Sequence, residues 1–286
     1  MWLEDQLVED LRALGLYEGA AVVAHVSMRA IGPIDGGAET LLAAFRRVLG
    51  SQGTLLVPTY TPQFTDPAES EGAPDSLEEI EQLRAAIPVF DPRTTPAARI
   101  AVGVFPEWVR REPDAFRSSH PVVSFAAVGA LAEHLTENAP FHYPLGTDSP
   151  LARLHDRNGW VILIGVGQEV NSSLHLAEVW ADVPYIHRTA RVKTGEDHWV
   201  EMQGSPECSE GFYRIEPVLR QARILHRGKV GSAPTQFMRL QASVSMAVSM
   251  LQGAGDSLLC DDPNCPWCQV ARKYTADSTH IEGQSI

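Results

Sequence analysis

The chain has 286 residues, of which 44% are hydrophobic and 21% are charged, and its formal net charge is −13 at pH 7. This composition is typical of a globular protein that can bury one large core. The negative charge argues against a nucleic-acid partner, because phosphate binding needs a basic surface. No apolar run approaches the roughly 20 residues that span a bilayer, and the N-terminus does not resemble a signal peptide, so we expect a cytoplasmic protein with no membrane partner.

Helical and strand patterns alternate along the N-terminal half. Leucines at helical spacing predict a first helix, and apolar runs predict strands over 20–24 and 54–57 with a helix over 38–49 between them. Strands that alternate with helices indicate a layered α/β core, in which ligands bind at the loops that leave the strand ends. We expect one domain over residues 1–286.

An acidic segment follows the second strand. Residues 66–81 contain seven acidic side chains and no basic ones. Such a run predicts either a solvated, mobile surface or an acidic rim that attracts a polycation. Helices are predicted farther along the chain over 98–111, 214–227 and 237–251.

A strand, a turn and a helix start are predicted close together in the centre of the chain. The apolar residues 160–164 predict a buried strand, and the glycines after it predict a turn. Either Asn171 or Ser172 is suited to cap a helix that begins near Ser173.

This predicted helix carries a histidine and an acidic residue at helical spacing. His175 lies in the first turn, and Glu178 follows three residues later on the same face. A neutral imidazole can accept a proton, a carboxylate can stabilise the imidazolium, and Ser172, Ser173 and free N–H groups of the helix start can stabilise an oxyanion. The alternative is that His175 and Glu178 are neighbours on a solvated surface.

Five sequence blocks together resemble one enzyme family. They are HVSMRAIG (25–32), GTLLVPT (53–59), RSSHP (117–121), DSPLARL (148–154) and NSSLHLAE (171–178). In this order they resemble the aminoglycoside 3-N-acetyltransferases. The resemblance implies a three-layer α/β/α fold with a central, largely buried mixed sheet. It also implies that acetyl-CoA is the co-substrate and that the acceptor is an amine of a cationic aminoglycoside.

The resemblance also implies roles for individual residues. It makes His175 the general base at the acceptor amine, and it places Ser172 where the family generally has Thr, so a hydroxyl is kept. The loop similar to the family's coenzyme-A loop consists of His25, Val26, Ser27, Met28 and Arg29. Backbone N–H groups, Ser27 and Arg29 of this loop would contact the pantetheine and the pyrophosphate, and Met28 is suited to packing.

The predicted acceptor site combines matched positions with negative charge. Tyr60 and Asp66 match family positions at the acceptor pocket. An acceptor with several ammonium groups favours carboxylate walls, for which Asp66, Asp148, Glu178 and Glu201 are candidates.

Alternatives from other functional classes remain open at this stage. The acceptor could be an amine other than an antibiotic. A Ser-His-acid hydrolase could use Ser172, His175 and Glu178, although the sequence lacks a G-x-S-x-G motif. The acidic loops could also form a cation-binding module without catalysis. Only the acetyltransferases need coenzyme A. The sequence leaves the oligomeric state open, with a homodimer among the alternatives.

The cysteines form a second candidate site. Cys260, Cys265 and Cys268 lie in a Pro-containing C-terminal tail over 254–286, and Cys208 is distant in sequence. In a reducing cytoplasm this grouping predicts a structural Zn²⁺ knuckle packed on the core, with His198 or an acidic residue as an alternative fourth ligand. The resemblance supports the metal, since some family members carry similar cysteines. The other interpretation is four reduced, partly buried thiols.

Overall fold

The structure is a computed structural model that describes residues 1–70, 72–204 and 208–281, with side chains as far as residue 275. The strands are β1 (Ala21–Val26), β2 (Thr54–Pro58), β3 (Phe116–Arg117), β4 (Phe125–Gly129), β5 (Trp160–Ile164), β6 (Thr189–Lys193), β7 (Trp199–Gln203), β8 (His226–Val230) and β9 (Ala233–Arg239). The α-helices are α1 (Glu4–Ala13), α2 (Met28–Ile31), α3 (Ala38–Leu49), α4 (Leu77–Ala86), α5 (Arg99–Val102), α6 (Phe105–Arg110), α7 (Ala132–Thr136), α8 (Pro150–Asp156), α9 (Ser173–Trp180), α10 (Glu216–Gln221), α11 (Leu240–Gly253) and α12 (Pro266–Ile281).

A seven-stranded sheet forms the middle layer, in the order β3-β4-β2-β1-β5-β9-β8. Strand β1 runs parallel to β2 and β5, and the other neighbouring pairs are antiparallel. The mixed sheet of the prediction is therefore confirmed. Because β2, β1 and β5 are parallel neighbours, their carboxyl ends meet at one edge, and the loops that follow them lie side by side.

Alternate residues of the central strands pack into two different cores. Val22 and Ala24 face a core that includes residues of α1, α3 and α6. Val23 and Leu163 face the opposite core, which includes residues of α7, α8, α9 and α11. A strand places successive side chains on opposite faces, so the nearly unbroken apolar runs indicate burial on both sides. The predicted α/β/α layering is confirmed.

A two-stranded sheet of β6 and β7 lies apart from the main sheet. An isolated bridge joins Thr65 to Val192 in β6, so the loop after β2 contacts this hairpin. None of the described helices has the length and apolar character needed to cross a membrane.

Three predicted helices have different limits in the structure. Gly103, at φ 81°, separates α5 from α6 within the predicted segment 98–111. In the predicted segment 214–227 the α-helix covers only α10, and β8 begins at His226. The segment 237–251 is predicted to be entirely helical, but its first residues complete β9 before α11 starts.

Candidate active site

A cavity of about 540 Å³ lies at the edge where β1, β2 and β5 end. Its wall includes Ser27 after β1, Pro58 at the end of β2 and Val166 after β5. The segment 99–103, which contains α5, supplies another part of the wall. The cavity is therefore formed by the loops that the sheet order brings together.

Asn171 fixes the turn that leads into α9. Its Oδ1 accepts hydrogen bonds from Ser173 N at 3.2 Å and from Ser173 Oγ at 2.6 Å, and its Nδ2 donates to Gln168 Oε1 at 2.8 Å. All three residues are fully buried. Of the two predicted caps, Asn171 is the one whose side chain bonds to the helix start.

His175 and Glu178 form a buried pair on α9. Nδ1 of His175 lies 2.7 Å from Oε2 of Glu178, and Tyr185 donates its hydroxyl to the other carboxylate oxygen at 3.2 Å. The pair is not a surface contact, because His175 is 8% and Glu178 4% exposed. A carboxylate only accepts hydrogen bonds, so Nδ1 carries a proton, and in the neutral imidazole Nε2 then has the free lone pair. The ring of Phe212 packs edge-on at 4.8 Å.

Ser172 and Tyr60 line the cavity together with His175. The Tyr60 hydroxyl donates to Ser172 Oγ at 2.7 Å. Burial raises the pKa of Tyr60, which therefore stays a neutral donor. Since the serine oxygen accepts this bond, its own O–H is left to donate elsewhere.

The predicted coenzyme-A loop lies only in part on the cavity wall. His25, Val26 and Ser27 line it, whereas Met28 and Arg29 do not. Ser27 Oγ accepts a hydrogen bond from Ala30 N at 3.2 Å and so begins the short helix α2. Burial lowers the pKa of His25 to about 4. Nε2 of this neutral imidazole has no hydrogen-bond partner among the described residues.

The structure does not bring Asp66, Asp148 and Glu201 to this cavity. Asp66 is 1% exposed, and its carboxylate accepts hydrogen bonds from Arg84 at 2.6 and 2.9 Å. Burial acts to raise the pKa of Asp66, but Arg84 and the N–H of Ala68 outweigh it, so the pKa is lowered. Asp148 and Glu201 are exposed. Asp66 is therefore paired inside the protein and does not belong to an acidic rim, which stays a prediction for the exposed acidic residues of the segment.

Four residues on or beside the cavity wall were missed by sequence reasoning. Glu169 is the only carboxylate and Arg99 the only guanidinium among the described residues that line the cavity. Ser209 also lines it, and Phe212 contacts the ring of His175. Glu169 lies in the turn between β5 and α9, and its place two residues after Gly167 was a signal that the sequence offered. Arg99 carried no such signal.

The four cysteines meet in one cluster. The Sγ atoms of Cys208, Cys260, Cys265 and Cys268 all lie within 4.8 Å of one another, and the last three residues are buried. Tetrahedral Zn²⁺ with bonds to sulfur of about 2.3 Å requires S···S distances of about 3.8 Å, so the donor set fits zinc after a small contraction. Cys208 directly precedes Ser209 of the cavity wall.

Comparisons with known proteins agree with this geometry. A family model described as aminoglycoside 3-N-acetyltransferase matches residues 23–252. The aminoglycoside N(3)-acetyltransferase VII of Streptomyces paromomycinus is 36% identical over 264 residues, covering 86% of this chain and 90% of that protein.

Solved structures are similar over almost the whole chain. The apoenzyme of aminoglycoside acetyltransferase AAC(3)-IVa superposes with a TM-score of 0.82 at 30% identity, covering 96% of this chain and 98% of that one. A histidine-to-alanine mutant of that enzyme was crystallised with a gentamicin. AAC-IIIb, as a binary complex with CoASH, superposes with a TM-score of 0.77 at 28% identity, covering 88% and 97%. The chain belongs to the aminoglycoside 3-N-acetyltransferase family.

Proposed function

We propose that this protein transfers the acetyl group of acetyl-CoA to the 3-amine of an aminoglycoside, with His175 as general base. The observation that carries the proposal is the buried His175–Glu178 pair on the wall of a cavity at the ends of three parallel strands. Family membership and the gentamicin and CoASH complexes of related enzymes support the two substrates.

His175 makes the acceptor amine nucleophilic. An ammonium group has no lone pair, so one proton must leave before the nitrogen attacks the thioester carbonyl. Nε2 accepts this proton, and Glu178 stabilises the imidazolium through Nδ1–H while Tyr185 holds the other carboxylate oxygen. A positioned base of this kind contributes roughly 10²–10⁴-fold to the rate.

Ser172 stabilises the tetrahedral intermediate. As the N–C bond forms, the carbonyl oxygen becomes an oxyanion and the nitrogen becomes cationic. The intermediate collapses when the C–S bond breaks and coenzyme A leaves as thiolate, and the second proton of the nitrogen passes to this thiolate, which gives the neutral amide and the free thiol. The hydroxyl of Ser172 donates to the oxyanion, and its oxygen accepts from Tyr60 at the same time, which strengthens the donor. No cysteine acts as nucleophile in this direct transfer.

The loop after β1 binds coenzyme A. His25, Val26 and Ser27 line the cavity, where the pantetheine must enter to present the thioester to His175. Arg29, the last residue of the predicted loop, is exposed and is suited to bind the phosphates outside the cavity.

The four cysteines of the cluster would hold a structural Zn²⁺. As four thiolate ligands they would supply folding energy and leave no open position for chemistry. Metal analysis should find about one zinc per chain.

We further propose that the chain is a single cytoplasmic domain with its C-terminal tail packed on the core. We also propose that it binds neither nucleic acid nor membrane and that it forms a homodimer. Sedimentation analysis tests the last point.

A thiol-release assay tests the function. Purified protein is incubated with acetyl-CoA and either gentamicin or the same compound already acetylated at its 3-amine. Thiol should be released only with the free 3-amine. Release without any acceptor would instead identify a hydrolase. Coenzyme-A binding without release for any aminoglycoside would indicate another amine acceptor, and no coenzyme-A binding would favour a cation-binding module.

A further inference from the structure

We propose that Glu169 binds a second ammonium group of the acceptor and so gives the enzyme its preference for polycations. This inference rests on the proposed function. It concerns an amine that does not react, whereas His175 acts on the one that does.

The carboxylate of Glu169 is fixed by the turn that precedes it. Its Oε1 accepts a hydrogen bond from Gly167 N at 2.9 Å. A Cβ atom added to Gly167 would lie only 2.2 Å from Oε2, so the absence of a side chain there lets the carboxylate rest against the backbone. The group is therefore held in one place before any ligand arrives.

The same carboxylate has unused hydrogen-bonding capacity. Within residues 1–70, 72–204 and 208–275 no donor bonds to Oε2, and no Lys, Arg or His pairs with Glu169. A carboxylate can accept about four hydrogen bonds, and a half-buried one is incompletely hydrated. A cationic ligand would satisfy this group with charge-assisted hydrogen bonds.

Glu169 also stands where an extended acceptor would reach it. Together with Val166 it lines both the main cavity and a neighbouring cavity of about 410 Å³. In the neighbouring cavity, the charge of Arg227 is already paired with Glu216, and the amide of Gln236 also donates to Glu216. Glu216 is therefore already paired, whereas Glu169 can still bind a cation. A ligand with one amine near His175 could place another amine at Glu169, where the two cavities meet.

The variant Glu169→Gln separates charge from structure. The amide oxygen of Gln can still accept the Gly167 N–H, so the turn is kept while the negative charge is lost. We expect the KM for gentamicin to rise at least about tenfold, the effect of losing a charge-assisted hydrogen bond. The kcat and the KM for acetyl-CoA should stay within about twofold. The variant loses a contact that the acceptor makes equally in the ground state and in the transition state, and such a loss raises only the KM of the acceptor.

Glu133→Gln is the matched control, since Glu133 is an exposed residue of α7 away from both cavities. It should leave the KM unchanged. The difference between wild type and Glu169→Gln should shrink as sodium chloride is raised, because salt screens the ionic contact. A purely structural role for Glu169 predicts no such salt dependence.

An unchanged KM in an active Glu169→Gln enzyme would overturn the inference, and so would a fall in kcat alone. If the variant melts early, calorimetric titration of the folded protein below its Tm decides. Loss of gentamicin binding with coenzyme-A binding retained supports the role, and equal loss of both refutes it. Wild-type protein that acetylates no aminoglycoside would refute the proposed function instead.

Discussion

Two buried carboxylates, Glu178 and Asp66, have chemically different partners. Glu178 on α9 bonds to His175 and Tyr185, and Asp66 after β2 bonds to Arg84 and Arg191. The partner of Glu178 is an imidazole, which can accept a proton at a free ring nitrogen, whereas a guanidinium has no acceptor atom and stays charged. Under the proposed function, Glu178 therefore stabilises the proton that His175 accepts.

Asp66 instead joins separate parts of the chain. Arg84 lies in α4 and Arg191 in β6, so one carboxylate connects the acidic segment to the β6–β7 hairpin. The guanidinium groups of both arginines also lie 5.9 Å from the ring centre of Trp199. Asp66 is thus a structural link between α4 and β6.

The largest effect should follow removal of the base. We expect His175→Ala to lower kcat at least about 10²-fold with little change in coenzyme-A affinity, because a general base acts on the chemical step. Steady-state kinetics and coenzyme-A titration measure both. His134→Ala is the control, because this half-buried histidine of α7 does not line the cavity. Near-normal turnover in His175→Ala would show that His175 is not the general base.

Asp66→Asn should affect stability and leave acceptor binding unchanged. Loss of the charge leaves Arg84 and Arg191 without their shared anion, and we expect the free energy of unfolding to fall by about 2 kcal/mol. The value is below that of a fully buried pair because both arginines reach solvent. Urea unfolding measures it, with Asp75→Asn in the same segment as control. If Asp66→Asn instead raised the KM for the aminoglycoside and left the stability unchanged, Asp66 would be assigned to the acceptor site after all.

His120 is a buried histidine whose hydrogen-bond partners are all backbone groups. Its Nδ1 accepts from Val122 N and Val123 N, and Nε2 donates to Phe141 O. Burial lowers its pKa from 6.5 to about 4, and the bond to Phe141 opposes this only in part. The unfolded chain therefore binds the proton more readily, and stability is lost as pH falls from about 6.5 towards 4.

The expected loss from His120 between pH 7 and pH 5 is about 2 kcal/mol. Urea unfolding at both pH values should show a smaller loss in His120→Asn, whose side-chain oxygen can still accept the two N–H groups. An equal loss in both proteins would mean that His120 is protonated in the folded state.

The smallest effect is expected for Glu178→Gln. The amide oxygen can accept from His175 Nδ1–H while the amide nitrogen donates to Tyr185, so the ring stays oriented. A neutral acceptor stabilises the imidazolium less than a carboxylate, and we expect kcat to fall about tenfold. A fall as large as that of His175→Ala would show that the charge of Glu178 is indispensable.

Local patterns were predictable from the sequence. The start of α9 and the His175–Glu178 pair depend on residues within one or two turns, and the α/β/α layering depends on apolar runs that the structure buries on both faces. These are short-range features that propensity and spacing describe well.

Long-range pairing was not predictable in the same way. Asp66 pairs with Arg84, 18 residues later in the chain, and with Arg191, 125 residues later. Both arginines lie outside the segment 66–81, so counting the charges of that segment could not predict these contacts. The first two residues of β8, His226 and Arg227, were predicted as the end of the helix 214–227, because residues 226–229 show no alternation of apolar and polar side chains. Pairing with β9 makes this segment a strand, so tertiary contacts override the local preference.

The neighbouring positions of Cys208 and Ser209 have a pharmacological consequence. One residue belongs to the thiol cluster and the next to the cavity wall, and Phe212 a few residues later touches the ring of His175. A thiol-directed reagent that disrupts the cluster would therefore also displace Ser209 and the cavity wall next to it. Such an inhibitor would lower turnover without competing with either substrate, so high concentrations of antibiotic or acetyl-CoA would not reverse its effect.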